Sequence, residues 1–260
     1  MKLSRTMIRF APYLAVALLL ITSCKKDKEE EPQPQPTPTP QLGLVDVEGN
    51  AYDTVVIGGQ TWMAENLRVR KYRNGDSIPY MPEATDWSLP GSNAYCLYGN
   101  ALPTIIEHGF LYGYGAVNDA RGICPQGWHV PTDTEWAQLE LYLGMPISQL
   151  DSLAPGGYGA VRGSSQNVGG KLKDFATWAD PNAGVTNSSG FSALASGQRA
   201  MPGSSYAGMG SIATFWTSTP AVFEGWIRQL RNDNTGVLRY HHDMGSDQPG
   251  YGHSCRCVKD

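Results

Sequence analysis

The sequence predicts a loop-rich fold of short strands with one or two helices, and three observations predict it. The 260 residues include 30 Gly and 18 Pro, with 10% aromatic and only 17% charged residues. That composition suits a compact extracytoplasmic domain and neither a helical bundle nor a disordered chain. Apolar runs flank the turn formers Glu48-Gly49-Asn50, a hairpin signal. One helix start stands out at Pro131-Thr132-Asp133-Thr134-Glu135, where Thr132 can cap free backbone N–H groups and Glu135 can return the bond as a capping box.

At the amino end, Lys2, Arg5 and Arg9 precede an apolar stretch, Ala11 to Ile21, that is too short to cross a bilayer core of ~30 Å. Residues 1–23 therefore read as a signal peptide. Leu20-Ile21-Thr22-Ser23-Cys24 resembles the bacterial lipobox, which implies that Cys24 is acylated, palmitate-type chains included, and becomes the first mature residue. Each buried methylene contributes about 0.8 kcal/mol, so several chains on Cys24 would hold the protein to outer-membrane lipid. Residues 24–43 then form a stalk. Its charged start, Lys25 to Glu31, resembles the export signal of Bacteroidota surface lipoproteins, and the alternation from Pro32 to Pro40 favours an extended polyproline spacer.

Charge excludes one class of function. Twenty Lys plus Arg stand against 24 Asp plus Glu, for a net charge of −4. Removal of the three basic residues of the signal leaves 17 against 24, a balance of −7, so no nucleic-acid partner is expected.

From Leu44 to Asp260 there is no linker, repeat or apolar run long enough to span a membrane, and residues 44–260 read as one domain. Val45 to Val47 pairs with Tyr52 to Ile57, and Gln60 to Leu67 supplies a third strand. A weaker helix is expected over Phe110 to Asn118, despite Gly113 and Gly115. In the capped helix Trp136, Leu139 and Leu143 share a face, and Gly144 with Pro146 ends it. The Gly clusters at Gly156 to Gly159 and Gly203 to Gly210 read as loops, and a late hairpin runs from Trp226 through Arg239 to Val258. Besides Cys24 there are four cysteines, Cys96, Cys124, Cys255 and Cys257, which in an oxidising exterior allow two disulfides and three connectivities.

A series of blocks carries a more specific signal. Val47 to Tyr52, Gly59 to Leu67, Gly122 to Trp136, Gly169 to Lys173, Gly190 to Leu194, Phe215 to Thr219 and Arg256 to Lys259 resemble, in order, the Fibrobacter succinogenes major paralogous domain. That family is similar to the formylglycine-generating branch of C-type-lectin-like folds. The resemblance implies an α+β, C-type-lectin-like fold, with small twisted antiparallel sheets, one or two helices and long loops. It also implies a Cys124–Cys257 disulfide, which leaves Cys96 with Cys255. His253 and Cys255 depart from the pattern, standing where the family has an aromatic and an aliphatic residue.

No catalytic signature is present: no phosphate loop, no His-Glu-x-x-His and no Gly-x-Ser-x-Gly. The Cys255-Arg256-Cys257 pair invites a formylglycine-generating-type oxidase reading. A separation of one residue does not match that chemistry, and Cys257 is better explained as a structural partner. No enzyme activity, cofactor or metal is expected. Asp180-Pro181-Asn182 and Asp247-Gln248-Pro249 lack the residue order of a calcium lectin, and His241-His242-Asp243 on a strand would point to alternate faces.

The expected ligand face lies late in the chain, at Trp226, Arg228, Asn232, Asn234, Arg239, Tyr240, His241, Asp243 and Tyr251, where lectin-like folds place recognition residues. Aromatic area with directional polar groups suits an extracellular glycan or surface protein. The expected function is noncatalytic binding by an outer-membrane lipoprotein exposed at the cell surface. The alternatives are a structural or fimbria-associated subunit, or a receptor diversified by a retroelement. Asp53-Thr54-Val55, Asp76-Ser77-Ile78 and Asp151-Ser152-Leu153 resemble short O-glycosylation acceptors of Bacteroidota, in keeping with export.

Overall fold

The first turn closes on Asp46, whose Oδ1 accepts bonds from the backbone N–H of Glu48 at 2.9 Å and of Asn50 at 3.0 Å. It joins β1 (Gln41–Val45) to β2 (Ala51–Ile57) as expected, and β3 (Gln60–Met63) follows. The computed structural model describes residues 41–82, 87, 92–101, 108–153, 160–200, 205–222, 224–242 and 250–260, all within one unit, Thr37–Asp260. The readings placed on the signal peptide, Cys24, the stalk as far as Pro40, Gly156 to Gly159, Asp243 and Asp247 to Pro249 lie outside the described residues, whereas residues 41–43, read as the end of the stalk, belong to β1 because they pair with β2.

The architecture is α+β, with short strands in small, mostly antiparallel sheets and three short helices among the described residues. One sheet has the order β1-β2-β3, then β13 (Val258–Lys259), then β6 (Trp128–His129). The second orders β7 (Val161–Arg162), β12 (Val237–Tyr240), β11 (Gly225–Arg231), β10 (Ile212–Pro220), β8 (Ser196–Ala200) and β9 (Ser205–Met209). Only its β8–β10 pairing is parallel. A two-stranded ribbon of β4 (Tyr95–Cys96) and β5 (Leu111–Tyr112) and the helices α1 (Tyr114–Val117), α2 (Asp133–Tyr142) and α3 (Val168–Leu172) complete the described elements.

Two cores form because neighbouring strand residues point to opposite faces. Along β3, Trp62 enters one core and Met63 the other; along β10, Phe215 and Trp216 divide in the same way. Strands buried on both faces read as apolar runs, which is why little alternation is visible in them. In α2 both arms of the capping box form: Glu135 N–H donates to Thr132 Oγ1 at 3.1 Å, and Thr132 N–H donates to Glu135 Oε2 at 2.7 Å. Trp136 is buried from this helix against Trp62, Phe191 and Phe215, with ring centroids 5.1 to 5.6 Å away.

Four further expectations need correction. The expected helix over Phe110 to Asn118 is a strand followed by one helical turn, because Tyr112 exchanges backbone bonds with His253 at 2.9 and 3.1 Å. A Cβ on Gly113 would also meet Ser92 O at 2.1 Å, so this glycine is a close-approach site. Within Gly203 to Gly210, Ser205–Met209 is a strand paired with β8. The late hairpin ends at Tyr240, and Val258 crosses to the first sheet between β3 and β6.

The fourth correction concerns the cysteines. Cys124 and Cys257 are bonded as the family resemblance implied, with Cα atoms 5.9 Å apart across 133 residues. Closing so long a loop contributes roughly 4 to 5 kcal/mol in the entropy model. Cys96 and Cys255, in contrast, are free buried thiols in different apolar clusters. Cys96 belongs to the cluster around Trp87 and Leu111, whereas Cys255 lies in the core beside the disulfide.

Candidate functional site

Strands β11 and β12 pair with Ile227 opposite Tyr240 and Arg228 opposite Arg239. The two-residue period then places Trp226, Arg228, Arg239 and His241 on one face and Tyr240 with His242 on the other. The eight expected ligand residues that are described therefore do not form one surface. They divide between two faces and, with Asn232 and Asn234, between two ends.

On the first face the arginines are engaged by α2. Arg228 donates to Asp133 Oδ1 at 2.6 Å and to Glu140 Oε1 at 2.8 Å, Arg162 pairs with the same Glu140 at 2.8 Å, and Arg239 pairs with Asp133 at 2.8 Å. Arg228 and Glu140 are fully buried. Burial pushes the Asp133 carboxyl upward, but the Arg239 and Arg228 guanidiniums outweigh it and hold it below the usual carboxylate range. Asp133 and Glu140 stand seven residues apart, two turns along one helix face, a spacing visible in the sequence that the search for a ligand face passed over. Arg239 also lies over the Trp226 ring, 3.6 Å from its centroid, and His241 meets that ring edge-on at 4.5 Å. Trp226 is thus held by a cation–π contact and remains half-buried.

The second face carries a layer of aromatic rings. His242 stacks on Tyr251 with centroids 3.4 Å apart, and Tyr240 meets His242 edge-on at 5.5 Å. His242 Nε2 and His253 Nε2 share a hydrogen bond at 3.2 Å, and His253 Nδ1 shares another with Thr214 Oγ1 at 2.8 Å. His253 packs on Trp216, with ring centroids 4.4 Å apart. Burial lowers the His242 pKa to about 3 and drives His253 well below the ordinary range, so both rings are neutral near pH 7. Tyr240, Tyr251 and His242 are half-buried.

The opposite end of the hairpin lies ~20 Å away, six residues on from Trp226 at about 3.4 Å each. There Asn232 Nδ2 donates to Asp180 O at 3.0 Å, and Asn234 Nδ2 donates to Asp233 Oδ1 at 3.2 Å. The Lys173 ammonium donates to Ala183 O, Arg231 O and Asn234 O at 2.7, 3.1 and 3.2 Å. Asp180-Pro181-Asn182, weighed above as a calcium loop, docks at this end through the bond that Asp180 O accepts from Asn232. Burial lowers the Lys173 pKa to about 8.

Two surface cavities, of about 280 and 200 Å³, share Arg73, Ile123 and Cys124. Among the described residues, none of the expected ligand residues lines either one. Close to Cys124, the sulfurs of Cys124, Cys255 and Cys257 all lie within 4.8 Å of one another. Cys257 is in the disulfide, and burial pushes the Cys255 thiol far above its ordinary range.

Residues 55–259 match a family described as the Fibrobacter succinogenes major domain. No curated protein and no solved structure matches the chain.

Proposed function

Because the chain belongs to the Fibrobacter succinogenes major domain family, we propose that it is a noncatalytic recognition module of the cell surface. In this reading it is lipid-anchored through Cys24, lectin-like in fold, and takes an extracellular glycan or surface protein at the aromatic end of β11–β12. One observation carries the proposal: the open end of the hairpin keeps half-buried rings on both faces, Tyr240 and Tyr251 against His242 on one and Trp226 under Arg239 on the other. Rigid rings with polar neighbours lose little entropy on binding and suit a sugar face or a peptide. Asn232 and Asn234, engaged at the far end, drop out of this site.

The test is a binding screen of oxidised residues 37–260 on arrays of glycans and cell-surface proteins, with and without chelator. Binding that survives chelation and falls at least about tenfold in Trp226→Ala and Tyr251→Ala is expected, the size of a lost hot spot. Binding that both variants retain would move the site elsewhere, and loss on chelation would overturn the metal-free reading.

A structural subunit is the second reading, and the edge of the first sheet favours it. Among the described residues β1 is its outer strand, and Val45, Val47 and Val56 are each about half exposed. Sedimentation of the same domain separates the readings: concentration-dependent association that Val45→Lys abolishes supports the subunit.

A further inference from the structure

We propose that Cys124, Cys255 and Cys257 form a thiol–disulfide exchange site, at which a small-molecule thiol moves the bond from Cys124–Cys257 to Cys124–Cys255. Three observations carry this. The three sulfurs lie within 4.8 Å of one another, two bonded and one free. Cys255 and Cys257 are alternate residues of an extended segment, with Leu67 N–H donating to Cys255 O at 2.8 Å and Met63 N–H donating to Cys257 O at 3.0 Å. Alternate residues of extended chain share a side, so Cys124 faces both. Cys124 also borders both surface cavities, and each of them includes Arg73. The Arg73 guanidinium donates to Cys124 O at 3.1 Å and to Trp128 O at 2.7 Å, which sets a positive charge beside the route a thiolate would take.

The chemistry balances without an oxidant. The incoming thiolate attacks Cys124 Sγ, forming a mixed disulfide and expelling Cys257 as a thiolate. Cys257 takes the proton of the neighbouring Cys255 thiol. The Cys255 thiolate then attacks Cys124 Sγ, closing the new bond and releasing the small thiolate unchanged. Burial keeps Cys255 protonated until that transfer, so the external thiol, which ionises in water, makes the first attack. The bond ends two residues from His253 after the exchange, in place of four. His253 is the buried ring that bonds His242 and stacks with Tyr251, so the crosslink moves toward the aromatic layer.

The sequence supplies its own readout, because trypsin cuts after Arg256 and separates the two cysteines. The folded full chain is incubated without oxygen at graded concentrations of free cysteine. Its thiols are then blocked with N-ethylmaleimide in denaturant at mildly acidic pH, and the digest is weighed by mass spectrometry. Without thiol, Cys124 should be linked to Cys257 and, Cys24 aside, the label should sit only on Cys96 and Cys255. With thiol, a Cys124–Cys255 species labelled on Cys257 should grow, about tenfold faster for tenfold more thiol. Cys255→Ser should abolish that species, and Cys96→Ser should leave it unchanged. Two results would overturn the proposal: only the original bond and the reduced chain at every thiol concentration, or the new bond appearing only when denaturant is added before thiol.

Discussion

At the turn end of the β11–β12 hairpin, Asn232 and Asn234 bond to their own chain, whereas at the open end Trp226, Tyr240 and Tyr251 keep half-buried rings. Similar residue types thus meet different fates within one supersecondary unit. At the turn end every named polar group has an internal partner and the Lys173 ammonium draws three carbonyls together. At the open end the cations and histidines support ring faces. A mutation at the turn end should therefore alter stability and leave binding alone, and one at the open end should do the reverse.

The largest effect is expected between the two ends. Glu140→Gln takes from buried Arg162 the carboxylate it pairs with and leaves Arg228 only Asp133, shared with Arg239, and should cost about 3 to 5 kcal/mol in denaturant unfolding. A loss below about 1 kcal/mol would mean that the ends do not depend on the shared network. Next, Lys173→Met deprives three carbonyls of their donor and should cost about 1 to 3 kcal/mol, with ligand affinity unchanged. An affinity change would break the division between the ends.

A pH effect at the open end should be smaller. Burial lowers the folded-state pKa of His242 and His253, so the unfolded chain binds more protons than the folded one below about pH 6.5. Stability is therefore present above pH 6.5 and lost as pH falls, by about 1 kcal/mol per histidine over the first unit. Thermal unfolding of the wild type and His242→Gln between pH 7.5 and 5 reads it, and equal slopes would show that His242 contributes nothing. His129 should behave in the opposite sense. Burial lowers its pKa, but bonds to Asp260 and Glu135 overcome this and raise it, so its contribution is full below about pH 6.5 and fades as pH rises through the folded value. With more than a third of the side chain exposed, solvent limits this to a few tenths of a kcal/mol, seen as a small loss in His129→Gln at pH 5.5 that disappears by pH 8.

Much of the local structure was legible in the sequence. The turn at Asp46 and the capping box at Thr132 and Glu135 are set by residues within four positions of one another, so short-range chemistry specifies them. The Cys124–Cys257 bond was legible only through the family resemblance. The strand at Leu111 was not legible, because its partners, Tyr95 and Cys96 in β4 and His253 far down the chain, outweigh a local helical tendency. The placement of the candidate ligand residues was not legible. Their types were in view, but the sequence order of Trp226, Arg228, Arg239 and Tyr240 does not reveal which of them α2 draws into the core.

By itself the sequence determined the class of fold, the family, one disulfide and the residue types at the end of the chain. Each follows from composition, from spacing over a few residues, or from an ordered series of motifs. Only the tertiary structure decided that Arg228 is a buried ion-pair partner, that Lys173 holds the turn end, and that Cys255 stands beside the disulfide and apart from Cys96. Those outcomes depend on pairings between residues tens to more than a hundred positions apart, and burial and distance between such residues exist only once the sheets have closed around two cores.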